Sequence, residues 1–231
     1  KSSQLQGRSH EILFIQQSLS GFEVYNSAGK LLVDSQNRST LFYDQRSLGA
    51  VTEKGFYRVD SPFGDGSTLG FTQQQFWNDG NLRWLQLDAN KYGLPGADLL
   101  EDNAGRMIRT TRNIGMQSGY LDVFDAGGNL IWSAASASKM PRVVGFFDVP
   151  ASYDLQNNTF AINLGFNPWI LVNNCPGNLS DDGGATGYSG IALKWTGSQL
   201  QGRYISKNQR NWSQILQGRG LRIPIAQFVG I

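Results

Sequence analysis

The chain has 231 residues, of which 40% are hydrophobic, 16% are charged and 28 are glycines, and its formal net charge is +2. The apolar content is too high for a disordered chain, and the charged share is well below the usual value of about 25%. Many glycines and aromatic residues with few helix formers predict an all-β protein with little helix, whose surface polarity comes mostly from uncharged amides and hydroxyls.

Three broad features of the sequence exclude further classes of protein. Cys175 is the only cysteine, so an intrachain disulfide is excluded. No apolar run approaches the roughly 18 residues of a membrane-spanning helix, and we expect no membrane span. The first residues, from Lys1 onward, lack the hydrophobic stretch of a secretory signal.

Residues 1–19 are predicted to form a polar N-terminal arm. Its apolar run consists of Ile12, Leu13, Phe14 and Ile15. Four consecutive apolar residues near a terminus are typical of a strand that is buried on both faces, within the chain or against a neighbouring subunit. We therefore treat these four residues as a candidate assembly interface.

Two stretches, 20–35 and 118–133, carry nearly the same order of residue types, and the second has one extra residue before its valine. In both, an aromatic and β-branched run is followed by a short polar link that contains glycine, which predicts a β-hairpin whose turn ends in a left-handed residue. Asn26 and Asp125 stand at the turn entrance, where a short polar side chain can bond the backbone two residues on. The match indicates a duplication, or one hairpin design used twice.

The region between the two similar stretches contains a further hairpin signal. The Asp-Gly dipeptide at 79–80 lies in a short polar link between apolar-rich runs at 71–77 and 82–87. This pattern predicts that the two runs pair as adjacent strands.

Residues 91–106 are rich in glycine and show little periodicity, so we predict that the boundary between two lobes lies there. The predicted architecture is two antiparallel β-sandwich-like lobes, 20–106 and 107–231, each opened by one of the similar hairpins. The later stretch 173–188 is rich in Gly, Asn, Asp and Ser and predicts a long loop. Asp181 and Asp182 in this loop have the oxygen ligands of a calcium site, but their spacing does not match an EF-hand and favours an ordinary turn.

Residues 183–231 carry six basic side chains and no acidic one. Basic residues interleaved with aromatic ones can indicate single-stranded nucleic acid binding, but a net charge of +2 over the chain is a weak electrostatic signal for it. Contact with a protein partner or plain solvated strands explain the same pattern. The basic residues that we assign to a candidate assembly interface are Arg203, Arg210, Arg219 and Arg222.

The sequence contains no recognisable catalytic motif. His10 is the only histidine, and Cys175 has no neighbouring base or second cysteine that would activate it. Glu101 and Asp102 are adjacent in sequence and are not expected to converge on one substrate. We therefore predict that the chain is not an enzyme and has no cofactor or metal.

Residues 20–35 resemble the start of a family of small tailed-bacteriophage proteins found among minor tail and tail-associated genes. The run from Gly21 to Gly29, followed by Asp34, Ser35 and Arg38, follows the family's pattern of a Gly-aromatic-Glu-Val-Tyr-Asn stretch, a small residue and glycine, then Asp-Ser before an arginine. The 19-residue arm ahead of the motif departs from that pattern. The family has no catalytic residues to carry over.

The resemblance implies a structural protein of the virion tail, in a minor tail, tail-tip or fibre-associated position, made in the cytoplasm of the bacterial host. Its expected partners are other tail proteins, or further copies of itself in a homo-oligomer or a ring around the tail axis. The rival interpretation is a carbohydrate-binding β-sandwich that contacts glycans of the host surface. In that case Trp169, Trp195 and Trp212 are the candidates for stacking on sugar rings.

Overall fold

The structure is a computed structural model, and it describes residues 14–18, 21–25, 31–34, 38–49, 56–74, 79–182, 185–229 and 231. The strands of the first half are β1 (Phe14–Ser18), β2 (Gly21–Tyr25), β3 (Leu31–Asp34), β4 (Leu41–Leu48), β5 (Phe56–Asp60), β6 (Thr68–Gln73), β7 (Leu82–Leu87), β8 (Tyr92–Leu94), β9 (Leu99–Glu101) and β10 (Gly105–Thr111). The strands of the second half are β11 (Asp122–Phe124), β12 (Leu130–Ser133), β13 (Arg142–Val149), β14 (Phe160–Asn163), β15 (Trp169–Leu171), β16 (Gly177–Asp182), β17 (Ala185–Trp195), β18 (Gln199–Lys207) and β19 (Leu221–Gln227). The described helices are short, with α1 at Trp212–Leu216 and 310 helices at Pro95–Ala97, Ala134–Lys139 and Val172–Asn174.

The prediction of an all-β, sandwich-like fold with little helix is confirmed. The strands form a three-stranded sheet in the order β1-β2-β3, a two-stranded sheet β11-β12, and a six-stranded sheet in the order β13-β19-β15-β7-β10-β4. An eight-stranded sheet has the order β14-β18-β17-β8-β9-β6-β5, and β16 also pairs with β17. The pairing is antiparallel throughout the three-stranded and two-stranded sheets and around the long strand β17.

The chain divides into two compact units, each made from separate stretches of sequence. Unit 1 comprises Lys1–Tyr43, Thr110–Val144 and Gln227–Ile231, and unit 2 comprises Asp44–Arg109 and Gly145–Ala226. Both similar hairpins, β2–β3 and β11–β12, belong to unit 1. The division into lobes at residue 106 stays a prediction.

Unit 2 contains two clusters of buried apolar side chains. The larger includes Phe147, Leu193 and Tyr204, all fully buried, and the smaller is centred on Phe71 and Leu99. Each fully buried side chain contacts many neighbours, so removing a large one leaves a cavity that the surrounding residues fill only in part. These clusters hold the sheets of unit 2 together.

The strand β18 shows how sequence alternation positions the core. Along it Leu200, Gly202 and Tyr204 are buried, while the residues between them are only partly covered. Gly202 is required by packing, because a Cβ at this position would lie 2.6 Å from Cζ of Phe147. The ring of Phe147 in turn meets that of Phe160 edge to face, with 5.3 Å between the centroids.

The glycine-rich stretch that predicts a long loop at 173–188 is mostly a hairpin. Strands β16 and β17 pair from Gly177 opposite Gly190 to Asp182 opposite Ala185. The glycines serve close packing of backbones, since a Cβ on Gly177 would lie 2.4 Å from the carbonyl carbon of Gly96. Composition predicts a loop here because it does not distinguish a glycine that forms a turn from one that lets two chains touch.

A further prediction about strand order is wrong. The runs around Asp79 and Gly80 do not pair: β6 joins β5 and β9 in the eight-stranded sheet, whereas β7 lies in the six-stranded sheet. The partner of β7, strand β15, is distant in sequence, and local turn signals do not indicate such a pairing. Residues 91–106 contain the buried strands β8 and β9, and the boundary between lobes placed there stays a prediction.

Candidate interaction surface

Unit 1 carries an exposed apolar surface on its second hairpin. Tyr120 is fully exposed, Leu121 is 58% exposed and Phe124 is 51% exposed. We call these three residues the hairpin patch. Among the described residues the other large apolar side chains with comparable exposure also belong to unit 1, and they are Tyr43, Val229 and Ile231. Apolar side chains that cluster on a surface mark interaction sites more often than isolated ones do.

The turn of this hairpin follows from a few polar side chains. Asp125 Oδ1 accepts hydrogen bonds from the backbone N–H groups of Gly127 at 2.9 Å and Asn129 at 2.8 Å. Gly128 adopts a left-handed conformation with φ of 80°. Hydrogen bonds from Asn129 and Gly127 hold the pKa of the Asp125 carboxyl below its usual range. The predicted turn, with a polar side chain at its entrance and a left-handed residue near its end, is confirmed here.

The entrance to the hairpin places Tyr120 in an unusual conformation. Its φ is 64°, in the left-handed region that a tyrosine rarely adopts. The Asp122 carboxylate accepts a hydrogen bond from the backbone N–H of Gly119 at 3.1 Å and another from the Ser118 hydroxyl, and Leu121 N–H donates to the Gly119 carbonyl at 2.9 Å. These bonds hold a conformation that costs about 1 kcal/mol or more and leaves the tyrosine ring fully in solvent.

The two similar hairpins share an irregularity in register. In the first, Val24 faces Val33 and Tyr25 faces Leu31, with a shift between the two pairs. In the second, Val123 faces Trp132 and Phe124 faces Leu130, with the shift at the equivalent place. The predicted similarity between the two stretches therefore extends to their strand pairing.

The strands that flank the two hairpins differ. β2 pairs along its whole length with β1, where Ile15 lies opposite Val24. β11 has β12 as its strand partner within the described residues. An edge strand of this kind can accept another strand from a neighbour.

The predicted interface in the N-terminal arm is described only in part. Ile12 and Leu13 lie outside the described residues. Phe14 and Ile15 belong to β1, whose backbone pairs with β2. Their role in assembly stays a prediction.

The four arginines of the predicted interface have different surroundings. Arg203 is engaged inside unit 2, where its guanidinium donates to the carbonyls of Pro62 and Gln156. Arg222 lies 3.7 Å from Asp148 at the surface. Arg210 and Arg219 are exposed. Of the four, Arg210, Arg219 and Arg222 are therefore accessible to a partner.

The three tryptophans predicted to stack on sugar rings are mostly covered. Trp169, Trp195 and Trp212 are 5%, 4% and 7% exposed. The Arg106 guanidinium lies over the Trp169 ring, 5.6 Å from its centroid, and Trp212 Nε1 donates to the Tyr153 carbonyl at 2.9 Å. Stacking needs an open ring face, so burial argues against it at all three.

The described residues give no support to a metal centre or a reactive thiol. No group of three or more His, Cys, Asp or Glu side chains in this part of the chain could hold a metal ion. Cys175 is buried, and that burial raises the pKa of its thiol, so it is a poor nucleophile. None of the helices in the described part combines the length and the apolar character of a membrane span.

The residues of the hairpin patch were missed by the sequence-based reasoning. The signal available was the run Tyr120–Leu121, two large apolar residues directly after a Ser-Gly pair. The sequence reveals neither their exposure nor the left-handed φ of Tyr120, a conformation expected mainly of glycine, asparagine and aspartate.

Comparison with known proteins identifies a family. A search of curated proteins and a search of solved structures found no match. Residues 19–230 match the profile of one protein family. The chain belongs to the family described as Domain of unknown function (DUF8377).

Proposed function

We propose that this chain is a structural protein of a bacteriophage tail that acts by subunit–subunit assembly, in a minor tail, tail-tip or fibre-associated position. The hairpin patch is the observation that carries the assembly part of the proposal. The resemblance of residues 20–35 to tail-associated proteins supports the virion part. The partners are other tail proteins or further copies of this chain around the tail axis.

The conformation of Tyr120 is what distinguishes the patch from incidental exposure. A left-handed tyrosine is disfavoured by roughly 1–3 kcal/mol, and such strain is retained mostly where it contributes to function. A partner that covered Tyr120, Leu121 and Phe124 would remove about 300 Å² of apolar surface from water. That burial is worth about 7 kcal/mol before the entropic costs of association.

The charge distribution favours a contact between unlike surfaces. Arg210 and Arg219 are exposed in a stretch without acidic residues, whereas the hairpin that carries the patch contains Asp122 and Asp125 and no basic residue. A contact between a basic surface on one subunit and this acidic hairpin on another is heterologous. Heterologous contacts generate rings when the rotation closes, as expected for a subunit around a tail axis.

A phage that carries Tyr120→Ser together with Leu121→Ser tests the proposal. Purified particles are analysed by mass spectrometry for the chain and by immunogold electron microscopy for its position. We expect wild-type chain at the tail and a loss of at least tenfold in the double variant, because an incorporation contact that loses about 1.4 kcal/mol weakens tenfold. Val229→Ser is the matched control, since it removes an exposed apolar side chain of unit 1 outside the patch.

Two results would count against the proposal. Absence of the wild-type chain from purified particles would overturn the virion assignment. Normal incorporation of a folded double variant would overturn the role of the patch. Circular dichroism and thermal melting of the purified variants establish that the chain is folded.

A further inference from the structure

Unit 2 contains a cavity of about 460 Å³ between the loop that follows β13 and the helix α1 with the turn after it. Small-molecule sites are commonly about 300–1,000 Å³, so the volume accommodates one or two sugar residues. The side chains on which the argument depends are Tyr153, Asp154, Asn157, Asn211, Trp212 and Arg219. We propose that this cavity binds an uncharged saccharide. The proposal does not depend on the hairpin patch, although it shares Arg219 with the basic surface proposed for assembly, and sugar binding by the free chain is measured separately from incorporation into particles.

The walls of the cavity are held in place by hydrogen bonds. Asp154 Oδ1 accepts from the backbone N–H groups of Gln156 at 3.1 Å and Asn157 at 3.2 Å. The two walls are joined by Trp212, whose backbone N–H donates to Gln156 Oε1 at 3.0 Å and whose ring N–H donates to the Tyr153 carbonyl at 2.9 Å. A cavity with fixed walls binds a ligand with little loss of protein conformational entropy.

Three amide side chains at the cavity form these hydrogen bonds through either the oxygen or the NH₂ group, and the other group has no such bond in the described part of the chain. Asn157 donates through Nδ2 to Asp154 at 2.8 Å, which leaves its oxygen as an acceptor. Asn211 accepts through Oδ1 from Gln214 N–H at 3.0 Å, and Gln156 accepts through Oε1, so both retain NH₂ groups without a partner among the described residues. A hydroxyl both donates and accepts, and it therefore suits a wall that offers both kinds of group.

The charges at the cavity favour an uncharged ligand. Asp154 and Arg219, one of each sign, are the charged residues that line it. Arg203, which also acts on Asp154, is already bonded to two backbone carbonyls. Hydrogen bonds from Asn157 hold the pKa of the Asp154 carboxyl below its usual range, so it stays ionised at neutral pH. An anion would meet this carboxylate and a cation would meet the Arg219 guanidinium, whereas the hydroxyls of a neutral sugar can bond to both.

The cavity also offers apolar contacts that suit a sugar ring. Tyr153 and Leu216, both half-buried, line the cavity together with Ala151 and the mostly covered Trp212. The C–H groups of a sugar ring need such contacts, while its hydroxyls need the polar ones. Of the three tryptophans considered from the sequence, Trp212 is the one that lines this cavity.

Saturation-transfer NMR and calorimetric titration of the purified chain test the proposal. The probes are glucose, galactose, N-acetylglucosamine, maltose and lactose up to about 50 mM, which detects dissociation constants of about 1 mM. We expect at least one of them to bind the wild-type chain. Ala151→Trp fills the cavity and should abolish that binding, and Arg219→Gln should weaken it about tenfold through loss of a charged donor.

Matched variants away from the cavity keep the test decisive. Ala161→Trp and Arg112→Gln change exposed residues of the same types elsewhere and should bind as the wild type does. Binding of none of the five sugars would overturn the proposal. So would binding that is equal in the cavity variants and their controls, or binding only of glucuronate or glucosamine added as charged probes.

Discussion

Unit 2 and unit 1 place their large apolar side chains differently. Unit 2 holds both clusters of buried apolar residues, with Phe147 and Tyr204 fully buried at the centre of one of them. Unit 1 holds the six large apolar side chains that are exposed within the described residues, including Phe124. Unit 2 is therefore stabilised by its own core, and the exposed apolar side chains of unit 1 are what the proposed assembly role would require.

Replacing a phenylalanine by alanine should have a large effect on stability in unit 2 and a small one in unit 1. The largest expected effect is in unit 2. Phe147→Ala removes a fully buried ring, and we expect the free energy of unfolding to fall by about 4 kcal/mol. Urea denaturation followed by circular dichroism measures the change. A loss below about 1 kcal/mol would mean that the core of unit 2 is far more adaptable than its packing indicates.

A smaller effect is expected from adding a methyl group to the same core. Gly202→Ala would place Cβ 2.6 Å from Cζ of Phe147, and we expect about 2 kcal/mol of destabilisation by overpacking. Gly70→Ala is the matched control, because no atom lies within 4 Å of a Cβ built at this strand position. Similar denaturation midpoints for the two variants would contradict close packing between β18 and Phe147.

Unit 2 should also show a pH dependence that originates at Asp98. Burial raises the pKa of this carboxyl to about 6, and Arg83, at 3.7 Å, opposes the shift only in part. The folded state then holds the proton more tightly than the unfolded state, whose ordinary value is 3.8. The carboxyl therefore destabilises the fold increasingly as the pH rises from about 4 to about 6, and the cost stays constant above that.

Asp98→Asn removes the titrating carboxyl and should flatten the fall in stability between about pH 4 and about pH 6. It should also raise the free energy of unfolding at pH 7 by about 1 kcal/mol, a value reduced for the partial exposure of the side chain. Asparagine suits the left-handed conformation at this position, where φ is 53°. Urea denaturation between pH 4 and pH 8 measures the free energy of unfolding at each pH. Asp88→Asn, which changes an exposed aspartate, is the control. An unchanged pH profile would contradict the raised pKa.

The smallest effect on stability is expected at the patch itself. Phe124→Ala removes a ring that is 51% exposed, and we expect the free energy of unfolding of the isolated chain to change by less than about 0.5 kcal/mol. A fall in the free energy of unfolding close to that of Phe147→Ala would show that the Phe124 ring stabilises the fold. The two units would then not differ in the way described.

The features that the sequence predicts correctly depend on local chemistry. The second hairpin could be predicted because Asp125 and Gly128 determine its turn through bonds and a backbone conformation within five residues. The all-β class follows from composition in the same way. These signals need no knowledge of distant partners.

The features that the sequence does not predict depend on partners far apart in the chain. The apolar runs around Gly80 look like a hairpin, yet β7 pairs with β15, where Leu85 lies opposite Ile170. Gly96 and Gly177 look like loop residues, but they are close because two backbones touch. Tyr120 is a different case, because its left-handed conformation lies beside local bonds of Asp122 to Ser118 and Gly119, but the sequence does not reveal such a conformation for a tyrosine.

We propose that the second hairpin of unit 1 is covered in the assembled particle, and cysteine labelling tests this most directly. Ala126→Cys places a thiol in the exposed turn beside the hairpin patch, and Ala161→Cys places one on an exposed strand of unit 2. The native Cys175 is buried and gives a low background. Maleimide labelling of the free chain and of purified particles should show rapid reaction at residue 126 in the free chain and protection of at least tenfold in particles, because a closed interface blocks access. Equal labelling of residue 126 in the free chain and in particles that contain it would contradict the claim.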